Sequence, residues 1–96
     1  MATDLVSSRL MVRQAAMIMD NPEATDQQKI IYSAMAKKLA TDKCFDIANY
    51  ALQIHGGYGF TKDFPVEKFL RDSKLCTIGE GTSEIQKVVI SRNLLK

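Results

Sequence analysis

The sequence predicts an all-α protein: a helical bundle of two long antiparallel helices, a short helix and a terminal helix. Its composition favours helix, because Ala, Met, Leu, Lys and Gln are frequent, Trp is absent and proline occurs only at Pro22 and Pro65. Apolar residues recur at intervals of three and four, and capping sequences precede two of the predicted helices. We predict a single domain over residues 1–96.

The first helix is predicted over residues 2–19. Its apolar positions, most of which fall on one helical face, are Leu5, Val6, Met11, Val12, Ala15, Ala16 and Met19. We expect no segment before this helix to cover its apolar stripe. The bundle is therefore expected to be incomplete and to need a partner surface.

The second helix is predicted to begin at the capping box Thr25-Asp26-Gln27-Gln28, after a turn at residues 20–23. It continues to the pair Gly56-Gly57, because glycine commonly ends helices. A helix of about 30 residues would be about 45 Å long. Apolar residues on two sides between Cys44 and Ile54 predict that both faces are covered there.

The third helix is predicted to be short. The glycine-rich run Gly56–Phe60 is expected to form a tight irregular loop, and Pro65 is expected at the first helical position. The side chains predicted to pack inward from this helix are Val66, Phe69, Leu70 and Leu75. Residues 74–81 are predicted to be a connector.

The terminal helix is predicted over Ile85 to Leu95, with Thr82 or Ser83 as its cap. The run from Ser83 to Gln86 fits a second capping box. Its predicted apolar face consists of Ile85, Val88, Val89 and Leu95.

Charge and composition exclude several classes of function. The net charge is only +2, and the basic residues are scattered and mixed with acidic ones, so no nucleic-acid surface is expected. No apolar run reaches the length of a membrane span, and residues 1–4 do not resemble a targeting signal. Cys44, Cys76 and the single His55 suit neither a disulfide framework nor a metal site, which indicates a reducing compartment.

Glu80, between Gly79 and Gly81, is the first candidate for chemistry. It can be a helix-start acid that is stabilised by the helix dipole. It can also be a base, strengthened when an apolar ligand expels water. Flanking glycines allow a ligand to approach and permit unusual backbone angles.

Two further groups have structural and functional interpretations. The run Gln53-Ile54-His55-Gly56-Gly57 can be a simple helix end, or a place where exposed backbone meets a phosphate. Arg71-Asp72 is expected to form an ion pair or a helix-end bond. Arg92 can be a solvated cation near the helix C-terminus or can contact a polar ligand.

Three segments in register resemble the C-terminal domain of the acyl-CoA dehydrogenases. They are residues 51–60 (ALQIHGGYGF), residues 65–72 (PVEKFLRD) and residues 80–86 (EGTSEIQ), with Ile90-Ser91-Arg92 following. The resemblance covers essentially the whole chain, but only the C-terminal part of a family member. Residues 10–13 and 52–59 look closest to the isobutyryl and short-branched members, although Gly79 stands where many relatives have a large residue.

The resemblance implies a helical bundle that assembles into homodimers or homotetramers, and a bound FAD. It implies oxidation of an acyl-CoA thioester to the 2-enoyl-CoA in fatty-acid or branched-chain amino-acid catabolism. An electron-transfer flavoprotein would be the electron acceptor. Glu80 would take the α-proton while the β-hydrogen leaves as hydride, and the Glu80 backbone N–H would bind the thioester carbonyl.

By the same resemblance, Thr82, Ser83 and Glu84 would contact FAD at the start of the terminal helix. Gln53, Ile54, His55, Gly56 and Gly57 would line the ADP part of the FAD held by a neighbouring subunit. Gly81 and Arg92 would lie on the substrate side.

The expected location is the mitochondrial matrix or the bacterial cytoplasm. Most of the pocket would come from domains outside this sequence, so the isolated chain is expected to be a fragment that neither holds FAD tightly nor turns over substrate, and to self-associate or be partly molten. A non-catalytic helical oligomerisation module and an acyl-CoA oxidase-like enzyme are the alternatives.

Overall fold

The computed structural model describes residues 1–96 and confirms the all-α prediction. Its four α-helices are α1 (Ala2–Asp20), α2 (Asp26–His55), α3 (Val66–Ile78) and α4 (Ser83–Leu94). A single 3₁₀ segment, Gly56–Phe60, follows α2. The bounds of α1 and α2 agree with the sequence prediction to within one residue.

The helices α1 and α2 form the predicted antiparallel hairpin. The capping box at the start of α2 is present: the Gln28 backbone N–H donates to the Thr25 hydroxyl at 3.1 Å, and the Thr25 N–H donates to the Gln28 side chain at 3.0 Å. The Lys43 ammonium lies 3.6 Å from the Asp4 carboxylate. This ion pair joins the start of α1 to the later half of α2, as an antiparallel hairpin requires.

The long helix α2 is the centre of the fold, since α1, α3 and α4 each pack against it. Ser83 at the start of α4 donates to Asp42 of α2. Near the other end of α4, the Asn93 carbonyl accepts from Gln27 of α2. These two contacts show that α4 runs antiparallel to α2 and bring both ends of α4 onto it.

The core is thin because three helices share one central helix. No large side chain is fully buried, and the buried apolar side chains are small ones: Ala15, Ala34, Ala36, Ala48 and Val66. The molecule measures 50 × 22 × 17 Å, and its radius of gyration is 15.7 Å. A compact domain of this length would have a radius of gyration of about 12–13 Å. Many large apolar side chains therefore remain exposed.

The third helix is longer than predicted and begins one residue after Pro65, which nevertheless has helical backbone angles. The expected connector at residues 74–81 is wrong, because helix continues to Ile78. Residues 74–78 contain no glycine or proline, so nothing local stops the helix before Gly79. Only Gly79–Gly81 and the cap Thr82 separate α3 from α4.

The inward packing predicted for α3 is only partly correct. Val66 is buried and Leu70 is half-buried, but Phe69 and Leu75 are exposed. The expectation of two covered faces at the end of α2 is also wrong, since Ile54 is 75% exposed. The reason is the same in both places: α2 and α3 contact each other along one face, and no further helix of the chain covers the other.

The cap of α4 is Thr82, whose hydroxyl accepts from the Ile85 N–H at 3.1 Å. The predicted capping box from Ser83 to Gln86 is wrong, because the Ser83 hydroxyl is directed to α2 instead. The helix ends at Leu94, and Leu95 is 87% exposed rather than part of an apolar face.

Residues Gly56–Phe60 form a turn of 3₁₀ helix rather than the irregular loop predicted. Gly56 ends α2 with a φ of +62°, and its N–H donates to the Gln53 carbonyl. At the other end, the Thr61 hydroxyl and N–H both donate to the Tyr58 carbonyl, at 2.7 and 3.2 Å. Hydrogen bonds at both ends thus give the segment a regular form.

Candidate active site

The turn that carries Glu80 is three residues long. Its first residue, Gly79, donates its N–H to the Leu75 carbonyl at 2.8 Å and so closes α3. Glu80 then has a φ of +58° and Gly81 a φ of +101°. Two consecutive positive φ angles bend the chain within three residues, so that α4 begins immediately after α3 ends.

Glu80 is the only residue other than glycine with a positive φ. The left-handed conformation costs a residue of this kind about 1–2 kcal/mol. Such conformations persist where surrounding contacts hold them, and they cluster at functional sites. The carboxylate itself is exposed. Its backbone is therefore constrained while its side chain remains accessible to a ligand.

Lys37 of α2 holds this turn. Its ammonium group donates to the Cys76 carbonyl at 2.9 Å and to the Gly81 carbonyl at 2.6 Å. The Gln86 side-chain amide also approaches the Gly81 carbonyl, at 3.5 Å. Sequence reasoning missed Lys37, because a lysine in a long helix carries no local signal of a contact about 40 residues away.

An open pocket of about 380 Å³ lies beside the start of α4. It is bounded by α2, the end of α3 and the first turn of α4, and most of its lining residues are polar. Thr82, Ser83 and Glu84 all line it, together with Lys74 and Lys87. The structure thus brings the three predicted cofactor residues of α4 to one pocket.

The Ser83 hydroxyl donates to the Asp42 carboxylate at 2.5 Å, and Lys38 pairs with the same carboxylate at 3.0 Å. Partial burial by itself would raise the pKa of Asp42. The Ser83 hydrogen bond and the Lys38 charge outweigh this effect and lower the pKa below its usual value. Since the Ser83 hydroxyl proton is engaged in this way, its backbone N–H is the donor left for a ligand.

The run Gln53–Gly57 does not lie at this pocket. It begins 11 residues after Asp42 on α2, a distance of about 16 Å along the helix axis. The His55 Nδ1 atom lies 2.8 Å from the Ala51 carbonyl oxygen, and the His55 side chain is exposed. No atom lies within 4 Å of a Cβ built on Gly56 or Gly57, so a ligand has room to approach this backbone.

Arg92 lies in the last turn of α4, whereas Glu80 precedes its first turn. Nine residues separate Arg92 from Ser83, which is about 14 Å along the helix axis. The structure does not bring Arg92 and Glu80 together within this chain.

The ion pair or helix-end bond predicted for Arg71-Asp72 takes the form of an ion pair between Arg71 and Glu67. The Arg71 guanidinium donates to both Glu67 oxygens, at 2.8 and 3.3 Å. This contact lowers the pKa of Glu67 and raises the pKa of Arg71. Residues four apart on a helix face each other, whereas adjacent residues do not.

No His, Cys, Asp and Glu side chains group together in a way that could hold a metal ion, and both cysteines are free. None of the helices is sufficiently long and apolar to span a bilayer.

A family model for the C-terminal domain of acyl-CoA dehydrogenase matches residues 1–95. The chain belongs to the acyl-CoA dehydrogenase family. This finding confirms the resemblance carried by residues 51–60, 65–72 and 80–86.

Known proteins of this family match along the whole chain. It is 47% identical over 96 residues to mitochondrial isobutyryl-CoA dehydrogenase of Bos taurus, covering 100% of this chain and 22% of that protein. It is 45% identical to the Caffeyl-CoA reductase-Etf complex subunit CarC of Acetobacterium woodii, covering 100% of this chain and 24% of that protein. The solved butyryl-CoA dehydrogenase of Megasphaera elsdenii superposes with a TM-score of 0.88 at 33% identity, over 99% of this chain and 24% of that one.

The chain thus spans less than a quarter of the length of these relatives. The acyl-CoA dehydrogenase relatives imply a flavin. The pocket beside α4 fits part of such a cofactor, because the N–H groups of Ser83 and Glu84 have no partner within the helix and are suited to anionic or carbonyl oxygens.

Proposed function

We propose that this chain supplies the catalytic base, Glu80, for the flavin-dependent α,β-dehydrogenation of an acyl-CoA thioester. The observation that carries the proposal is the exposed Glu80 carboxylate on a backbone held at a φ of +58°, directly before α4. Membership of the acyl-CoA dehydrogenase family supports the reaction class.

In this proposal Glu80 accepts the α-proton of the thioester as the β-hydrogen leaves with its electron pair, and a carbon–carbon double bond forms. Bound FAD supplies the acceptor for that hydride. The Glu80 backbone N–H donates to the thioester carbonyl oxygen and stabilises the negative charge that develops on it. Gly81 permits the acyl chain to lie close to the backbone. Arg92 lies at the substrate end of the site.

Thr82, Ser83 and Glu84 are proposed to hold the flavin through the first turn of α4. Gln53, Ile54, His55, Gly56 and Gly57 are proposed to contact the ADP part of the FAD of a second subunit. This run begins seven residues after Asp46, the last α2 residue that lines the α4 pocket, which is about 10 Å along the helix axis, and this separation supports two separate FAD contacts. A homodimer or homotetramer would then be required for a complete site.

Similarity to isobutyryl-CoA dehydrogenase supports a short or branched acyl group as the substrate. Similarity to a reductase–Etf complex subunit supports an electron-transfer flavoprotein as the redox partner. The relatives are mitochondrial and bacterial proteins, which supports action in the mitochondrial matrix or the bacterial cytoplasm.

The decisive experiment compares Glu80→Gln with the wild type in the flavin-loaded, full-length enzyme that contains this chain. The substitution keeps the shape of the side chain but removes its basicity. We expect reduction of the flavin by isobutyryl-CoA, followed as loss of its visible absorption, to slow by about 10²- to 10⁴-fold. Glu23→Gln, an exposed change in the α1–α2 turn, should leave the rate unchanged. Undiminished reduction in Glu80→Gln would contradict the assignment of the base.

A non-catalytic assembly role is the second candidate, and the large apolar side chains exposed on α1 favour it: Leu5, Val6, Leu10, Val12, Met17 and Met19. The same experiment separates the two roles. Full-length protein that associates but shows no reduction of flavin with any short acyl-CoA would support the assembly role alone.

A further inference from the structure

The Glu80 turn has little support of its own. Gly79–Gly81 contains two positive φ angles, and none of its residues is buried. Glycine adds conformational freedom on both sides of Glu80. Contacts from outside the turn must therefore fix the direction of the Glu80 side chain.

Lys37 makes those contacts from both sides of Glu80. Its two acceptors, the carbonyls of Cys76 and Gly81, stand four residues before and one residue after Glu80. A lysine ammonium has three donors and no acceptor, so one group can join both carbonyls at once. The Lys37 Nζ atom thereby connects α2 to both the end of α3 and the turn.

The charge of Lys37 suits this position. The Cys76 carbonyl is among the last four of α3, which have no partner within the helix, and a helix C-terminus attracts cations. Hydrogen bonds from a charged donor are shorter and stronger than neutral ones. Lys37 forms none of the three ion pairs of the molecule, whereas the adjacent Lys38 is paired with Asp42.

We propose that Lys37 is the positioning residue for the base: by bridging the Cys76 and Gly81 carbonyls it holds Glu80 in its left-handed conformation and aims the carboxylate. This inference rests on the proposed role of Glu80. Lys37 touches neither substrate nor flavin in this role and acts only through the turn. Loss of the bridge leaves the base present but poorly placed, and a displacement of about 1 Å can cost about 10²-fold in rate.

The test uses Lys37→Met and Lys37→Arg in the flavin-loaded, full-length enzyme. We expect Lys37→Met to slow flavin reduction at saturating isobutyryl-CoA by about 10- to 100-fold per bound flavin, with little change in KM. Lys37→Arg, which keeps a charged multiple donor, should recover most of the rate. Lys29→Met is the matched control, because Lys29 lies eight residues earlier on α2 and, like Lys37, lines an open groove between α1, α2 and α4. The rate of this variant should equal that of the wild type.

The double variant Lys37→Met with Glu80→Gln separates positioning from general destabilisation. If Lys37 acts through Glu80, Lys37→Met should slow Glu80→Gln by less than it slows the wild type, because only the contact of the backbone N–H at position 80 remains to be misplaced. An additive loss, or a normal rate per bound flavin in Lys37→Met, would overturn the inference while leaving Glu80 as the base. A normal rate in Glu80→Gln would instead overturn the proposed function. If Lys37→Met fails to fold, Lys37→Gln takes its place, since its neutral amide should give an intermediate rate.

Discussion

The two glycine-containing junctions of this chain are held in different ways. Gly56–Phe60, between α2 and α3, is closed by hydrogen bonds to residues within three or four positions. Gly79–Gly81, between α3 and α4, depends on Lys37, which is about 40 residues away in the sequence. Local bonds are sufficient to hold the first junction. The junction that carries the candidate base is instead fixed from the central helix.

Glycine also has a different purpose at each junction. At Gly59 a Cβ atom would lie 2.8 Å from the Leu52 carbonyl oxygen and 2.9 Å from the His55 Cβ atom, so the requirement is close packing. At Gly81 the requirement is the φ of +101°, because the nearest atom to an added Cβ is the end of the flexible Gln86 side chain. Substitution of Gly59 should therefore destabilise the fold by steric overlap, and substitution of Gly81 by backbone strain.

The largest effect on stability is expected from Gly59→Ala. The added methyl group would overlap backbone of α2, which cannot move aside, and we expect a loss of about 1–3 kcal/mol in the free energy of unfolding. The measurement is urea denaturation. Gly57→Ala is the control, because nothing lies within 4 Å of its Cβ and its φ is not positive. Equal stability of the two variants would show that Gly59 does not pack closely against the Leu52 carbonyl.

A smaller and opposite effect is expected at the second junction. Asparagine tolerates the left-handed conformation better than glutamate, so Glu80→Asn should raise the free energy of unfolding by up to about 1 kcal/mol relative to Glu80→Gln. Both variants lose the carboxylate and, on the proposed function, the activity. Identical stabilities would argue that the backbone at Glu80 is not strained.

The smallest effect concerns the attachment of α4 to α2 through Asp42 and Ser83. Because the folded-state pKa of Asp42 lies below the unfolded value of 3.8, the contact stabilises the fold above that value. The stabilisation is lost as pH falls through the folded-state pKa. Asp42→Asn should therefore lose a few tenths to about 1 kcal/mol near neutral pH and almost nothing in strong acid. A deficit that does not change with pH would indicate a packing effect instead.

The helices of this chain were largely predictable because their signals are local. The Thr25 capping box, the glycine pair after His55 and the absence of breakers between them fix a helix of 30 residues. The full length of α3 is not predictable in this way, because the glycines at 79 and 81 indicate a break in the helix without marking the residue at which it ends. The sequence does not distinguish Thr82 from Ser83 as the cap, since both are good capping residues and only Asp42 of α2 makes Ser83 unavailable.

The candidate site was predictable in its residues but not in its geometry. Glu80 and the run from Thr82 to Glu84 are adjacent in sequence, so the motif alone groups them. The φ of Glu80 and the separation of Gln53–Gly57 from the α4 pocket depend on how α3 and α4 lie on α2.

The sequence by itself determined an all-α chain, the lengths of its first two helices and the identity of its candidate base, because periodicity, caps and motif residues act over short distances. Only the tertiary structure decided which helix faces remain exposed and which lysine holds the Glu80 turn. It also decided that Thr82 rather than Ser83 caps α4. Those outcomes arise where groups far apart in the sequence meet on α2. At Glu80 both contributions combine: flanking glycines permit the left-handed turn, and Lys37 holds it.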